Sequence, residues 1–178
     1  MKKFVLTLIT IGTFGLLVQP IWADEDLNAI LKAFSQKTEV IVAMKGFSDA
    51  FDKVQTENSL KSIDELKKDI FSYYDGDFAQ EYKNSVGKDP DLTIAKSIDD
   101  SAIVLQYYYI FKNTATTGKK NHFTDAKDKS SWTKIHVKHH ETLEKFAHDE
   151  NGFYDLFFVD ISGRVVYSVF KEALLHKS

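Results

Sequence analysis

The chain contains no cysteine. Disulfides, thiolate nucleophiles, zinc-ribbon spacing and a lipid-attachment cysteine are therefore all excluded. It also lacks an excess of positive charge. The formal charge is -3, and without Lys2 and Lys3 it is -5, with 21 basic against 26 acidic residues. An extended polyanion such as nucleic acid is an unsuitable partner for such a surface. After the first two dozen residues there is no second apolar run of spanning length, no Gly-x-Ser-x-Gly elbow and no phosphate-cradling glycine loop. No catalytic constellation recommends an enzyme, and no cofactor is called for.

What is present is a hydrophobic content of 43% with 13% aromatics over 178 residues. That is enough for one globular domain with a real core. Residues 1–23 read as a leader. Lys2 and Lys3 form its positive start, Phe4 to Val18 its apolar stretch, and Ile21-Trp22-Ala23 its cleavage site before the acidic Asp24-Glu25-Asp26. An uncleaved anchor is the competing reading, against which Gln19 and Pro20 weigh. Cleavage after Ala23 would release residues 24–178 into the periplasm as a single domain with no membrane span.

Helical spacing dominates the first part of that domain. Leu27, Ile30, Leu31, Phe34, Ile41, Met44, Phe47 or Ser48, Phe51 and Val54 recur at three-to-four spacing, predicting one long amphipathic helix bent near Gly46. Gln55 to Lys61 is a connection. Ser62 and Glu65 form a capping box for a second helix, which Asp75-Gly76-Asp77 interrupts. A third helix carries Ile98, Ala102, Leu105 and Tyr109 and ends around Asn113. Of the adjacent Tyr107, Tyr108 and Tyr109, the last belongs to the core stripe and Tyr107 points elsewhere. Asn113 to Lys129 shows no periodicity and is expected to be an exposed loop.

The fourth helix, Ser131 to His148, places Trp132, Ile135, His136, His139, Leu143, Phe146 and Ala147 on one face, with His140 at its edge. His136 and His140 stand at the i, i+4 spacing that lets two imidazoles reach one metal. Satisfied core histidines are favoured over ligands, because a third ligand is only inferred. Tyr154 to Asp160 and Arg164 to Phe170 are β-rich segments around the turn Asp160-Ile-Ser-Gly163, predicting an antiparallel hairpin. Leu156 to Val159 is apolar on both faces, as in a strand covered on both sides.

Several of these segments together resemble a known family. They are Phe47-Ser-Asp-Ala-Phe51, Tyr73-Tyr-Asp-Gly-Asp-Phe78, Leu105-Gln-Tyr-Tyr-Tyr-Ile110 with Asn113, Ile135-His136 with His140, Tyr154-Asp-Leu-Phe-Phe-Val-Asp160 with Gly163, and Val166-Tyr-Ser-Val-Phe-Lys-Glu172. The pattern resembles the extracytoplasmic sensor region of bacterial methyl-accepting chemotaxis receptors and related membrane-bound cyclases and phosphatases, over roughly residues 40–172. The resemblance implies a Cache or PAS-like sensor, in which long helices lead into a small antiparallel sheet that forms a ligand pocket. Family members continue beyond the Phe-Lys-Glu motif with strands that complete the sheet, a second membrane helix and signalling modules. This chain ends at Ser178, has His139 where a tyrosine is usual, and has Glu141 where a proline is common.

The expected fold is α+β, a bundle of about four helices packed on a C-terminal hairpin that forms a partial Cache/PAS-like sheet. The expected function is a non-enzymatic, periplasmic, sensor-like small-molecule-binding protein. Tyr108, Tyr109, His136, His140, Tyr154, Asp155 and Tyr167 are expected to line a pocket between the hairpin and the third and fourth helices. Its partners would be a small-molecule ligand and a receptor, a kinase or a second copy. One alternative is a shortened sensor serving as an interaction module through the edge of Arg164 to Phe170, an edge that Ala173 to Ser178 or another chain would cover. The other is a metal or haem protein using His136 and His140.

Overall fold

The computed structural model describes residues 37–116 and 119–171, together with the backbone of 8–11. The cleavage site at Ala23, the expected helix start at Asp24 and the segment Ala173 to Ser178 lie outside the described residues.

Thr38–Phe51 forms helix α1, followed after a turn by the short helix α2, Val54–Glu57. The apolar spacing turns Val40, Ala43, Phe47, Ala50 and Phe51 inward. The helix continues through Gly46, which stands close to Ile135 of the later helix 131–145: a Cβ there would meet that side chain at 3.4 Å. The expected connection from Gln55 therefore begins as a helical turn, with Thr56 and Glu57 amides bonded back to the Lys53 carbonyl.

Helix α3, Ile63–Tyr73, starts as the sequence predicts. The Ser62 side chain accepts from the Glu65 amide while the Glu65 carboxylate accepts from the Ser62 amide. Asp75-Gly76-Asp77 does not interrupt the helix. Tyr74–Phe78 forms a wider π turn that leads directly into α4, Ala79–Val86. Gly87, at φ 80°, ends it in the left-handed conformation that glycine adopts without steric cost.

Helix α5, Asp100–Gln106, is capped by Asp99 and likewise passes into a π turn, Tyr107–Phe111. A third π turn, Phe146–Glu150, follows helix α6, Ser131–Lys145, whose first turn is capped by Ser130. Each run of helix and π turn thus occupies the place of one expected helix. Among the described residues, these three runs pack with α1 and the short α2 as the helical part of the fold.

The hairpin consists of β2, Phe157–Asp160, and β3, Val165–Ser168, antiparallel with a bulge at Phe158/Val159. Gly163 takes φ 86° in the turn. All four β2 residues are buried: Phe157 to Val159 as their two-sided apolar character implies, and Asp160 with its carboxylate paired to Arg164. Strand β1, Leu8–Ile11, lies within the stretch read as a leader and pairs parallel with the other edge of β2, giving the order β1-β2-β3. The protein is therefore α+β and mainly helical, with the antiparallel hairpin at its C-terminal end.

Phe47 is the hub of the core. Its ring stacks on Tyr167 of β3 at 4.3 Å and meets Trp132 of α6 at 5.0 Å and Phe158 of β2 at 6.1 Å. One side chain thus ties three elements together, and each such fully buried ring stabilises the fold by roughly 1.5–3 kcal/mol. Among the described residues no helix is long and apolar enough to cross a membrane.

Candidate functional site

The 113–129 segment, expected to be an exposed loop, is anchored at its first half. The Lys120 ammonium donates to the Ile110 and Asn113 carbonyls at 3.1 and 2.8 Å, placing a cation on the last carbonyls of the π turn, where the helix dipole favours it. The Asn113 amide donates to the Tyr109 and Lys120 carbonyls. Asn113, Lys120 and Asn121 are consequently buried. The loop enters the protein because its polar groups satisfy carbonyls that the helix end leaves open.

This anchoring delivers Asn121 to the histidine face of α6. His136 and His140 are one turn apart, and their rings stack at 4.3 Å and 20°. The His136 Nδ1–H donates to the Thr124 carbonyl at 2.6 Å, leaving Nε2 as a buried acceptor with no hydrogen-bond partner among the described residues. His140 Nε2 lies 2.7 Å from the Asn121 carbonyl, and Nδ1 lies 2.7 Å from the Tyr167 hydroxyl. A carbonyl only accepts, so Nε2 carries the proton and Nδ1 accepts from Tyr167. Burial favours the neutral imidazoles, pushing His140 down to about 3 and His136 well below its usual value.

The two imidazoles do not converge on a metal. Both nitrogens of His140 are engaged, and the rings lie face to face rather than edge to a common point. Among the described residues no three His, Cys, Asp or Glu side chains are grouped to hold an ion.

Lys171 completes the cluster. It is 5% exposed, and its Nζ lies 3.1 Å from His140 Nε2, 3.2 Å from the Val169 carbonyl and 3.4 Å from the Asn121 carbonyl. Among the described residues no carboxylate comes within ion-pair distance of it. Burial pushes its ammonium down to about 7, against weaker opposing pulls from Glu144 and Asp155. Its backbone sits at φ 53°, a left-handed conformation that costs a non-glycine residue roughly 1–2 kcal/mol. Glu144 is itself bonded to the Asn121 amide.

Beside this cluster lies a cavity of about 100 Å³ between β3 and the helices α5 and α6. Tyr109, Trp132, Val166, Tyr167 and Lys171 form part of its wall, with Leu105 and Gln106 opposite. The Trp132 indole N–H donates to the Val166 carbonyl at 2.9 Å. That bond fixes α6 across strand β3. Residues Val166, Tyr167 and Val169, expected on an open edge, are buried.

Of the residues expected around a pocket, Tyr109 and Tyr167 line the cavity, and His136 and His140 stand behind Tyr167. Tyr109 is anchored by a 2.8 Å hydrogen bond between its hydroxyl and that of Thr133. Tyr108 lies elsewhere, its hydroxyl near Asn58 at 3.4 Å. Tyr154 is 54% exposed and stacks outside the cavity on Phe170. Asp155 is a buried clamp. It accepts from the Ser168 hydroxyl and from the amides of Val169 and Phe170, and burial raises its carboxyl to about 6 despite those bonds.

Sequence reasoning did not single out Trp132 as a wall of the site, nor Asn121 and Lys171. Trp132 carried a signal on the predicted core face of α6. Lys171 follows directly on the β-rich segment Arg164 to Phe170, where a buried charged residue is conspicuous. Asn121 had no signal, because its burial depends on contacts that begin eight residues earlier.

Comparison with protein-family models, with curated proteins and with solved structures finds no match.

Proposed function

We propose that this chain is a non-enzymatic small-molecule-binding protein of the sensor type, working in the periplasm and related to chemoreceptor input domains. One observation carries the reading: a cavity between β3 and helices α5 and α6, walled by aromatic rings and backed by a buried polar cluster. Small-molecule sites are commonly concave and mostly apolar, with a few polar groups that orient the guest. The volume suits a compound of a few heavy atoms, since a cavity of about 150 Å³ accepts benzene. The Trp132 bond across β3 and the burial of Val166, Tyr167 and Val169 favour this reading over docking through the edge of Arg164 to Phe170.

A thermal-shift screen of the protein against amino acids, organic acids and amines, followed by calorimetry on any hit, tests the proposal. A ligand at a hundredfold its dissociation constant adds about 2.7 kcal/mol, which for a chain of this size raises the melting temperature by roughly 5–10 °C. Substituting Trp132 or Tyr167 should remove that increment. If no compound shifts the melting temperature, the binding role fails.

A further inference from the structure

We propose that Lys171 is a carbonyl-capturing amine, which forms a reversible imine with a small, uncharged aldehyde or ketone seated in the cavity beside β3. The inference rests on the binding reading above and names the ligand class of that same site.

Three features of the geometry lead to it. Lys171 is buried on the cavity wall, yet among the described residues no carboxylate lies within ion-pair distance of its Nζ. Buried ammonium groups are ordinarily paired, and an unpaired one favours the neutral amine, the nucleophilic form. Second, the neighbours are compatible with an amine that carries a lone pair. The His140 Nε2 proton is committed to the Asn121 carbonyl, so that nitrogen, 3.1 Å from Nζ, offers no lone pair to an ammonium hydrogen. The carbonyls of Val169 and Asn121 take the amine's own hydrogens. Third, the remaining wall is largely apolar, with Leu105, Trp132 and Val166 among its residues. A charged oxo-acid would find no second cation among the described residues of that wall, whereas a short aliphatic carbonyl compound would fit.

The chemistry balances without a co-reactant. The Nζ lone pair bonds to the carbonyl carbon, and the C=O π pair moves to oxygen, which takes a proton while nitrogen gives one up. The C–O bond of the carbinolamine then breaks, nitrogen loses its second proton, and both hydrogens leave with the oxygen as water. His140 Nε2–H, 3.1 Å from Nζ, is placed to give its proton to the oxygen and to be refilled by the proton that nitrogen loses, so that its own protonation is unchanged at the end. Burial supplies the reactive form near neutral pH. With its titration lowered to about 7, a substantial share of Lys171 is free amine at neutral pH, whereas an ordinary lysine is free in roughly one copy per three thousand.

Reductive trapping reads this directly. The full-length protein is treated at pH 7 with limiting propanal and cyanoborohydride, digested and mapped by mass spectrometry, with urea-unfolded protein as the control. Lys171 should be alkylated at least tenfold faster than any exposed lysine in the folded protein and lose that advantage on unfolding. Tyr167→Phe, which keeps the ring, should reduce the rate at Lys171 alone. Labelling spread evenly over the lysines would overturn the inference, even if non-carbonyl compounds stabilise the protein and leave the binding reading intact.

Discussion

Strand β3 is flanked by two cations with opposite surroundings. Arg164 precedes it, half-exposed, and faces three carboxylates: Asp52 at 2.7 Å, Asp160 at 2.7 Å and Asp99 at 3.4 Å. Its guanidinium also lies 4.9 Å from the centre of the Phe51 ring. These partners raise its basicity, the Asp52 hydrogen bond foremost. Lys171 follows the strand, is buried, and meets an imidazole and two carbonyls. The two also use different chemistry. A planar guanidinium forks between carboxylates to bind the turn, the end of α1 and the cap of α5 together, whereas an ammonium can give up its proton when left alone. One end of the strand is built for holding, and the other has the makings of reactivity.

The largest effect should come from acid, which reaches the buried histidines first. At the Arg164 end Asp160, where the pull of burial is outweighed by the Ser162 and Arg164 hydrogen bonds that hold it below its usual range, gives up its share only at lower pH. His136 and His140 have folded values below their unfolded one, so the unfolded chain binds more protons and stability falls as pH drops through about 6.5, continuing toward 3 for His140. Asp155, raised to about 6, works the other way between there and its ordinary value near 4. Two groups against one leave a loss of about 1.4 kcal/mol per pH unit, or roughly 3 kcal/mol from pH 6 to pH 4. Urea titrations at stepped pH check this, and His140→Gln should flatten the slope whatever it does to absolute stability.

Arg164→Met tests the other end. It strips Asp160, which is buried, of its guanidinium and should cost about 2 kcal/mol, partly masked by high salt. Chemical denaturation at two ionic strengths would show it. Tyr167→Phe removes the donor to His140 Nδ1 and should cost roughly 1 kcal/mol, with the His140 imidazole resonances moving by NMR. The smallest effect carries the sharpest sign. Lys171→Met replaces a buried amine that has no carboxylate partner among the described residues with an apolar chain of similar length, so stability should hold or rise by less than about 1 kcal/mol. A loss as large as that of Arg164→Met would erase the contrast between the two cations.

The parts of the fold that were legible in the sequence are those set by local rules. Ser62 and Glu65 announce their capping box because the motif is complete within four residues. The hairpin is announced by β-branched and aromatic runs around a glycine that must turn. The histidine face of α6 follows from its period. What escaped depends on geometry that spacing does not encode. Asp75-Gly76-Asp77 looks like a break, yet the backbone widens to a π turn and continues. Asn113 to Lys129 looks like surface, yet Lys120 and Asn121 are drawn in by carbonyls whose need arises only once the preceding helix has ended. The site was half legible for the same reason. Tyr109, His136, His140 and Tyr167 lie on periodic faces, while Asn121 and Lys171 arrive from irregular segments.

The π turn at Tyr107–Phe111 is closed by the Lys112 amide reaching five residues back to the Tyr107 carbonyl. Such a closure accommodates one residue more than an ordinary helical turn, and at 3.6 residues per turn one residue is worth about 100° of rotation. Deleting a single tyrosine there would restore the regular winding and swing Asn113 out of phase with the loop it anchors. The supernumerary residue thus sets the timing by which a helix hands its chain to the neighbourhood of His140.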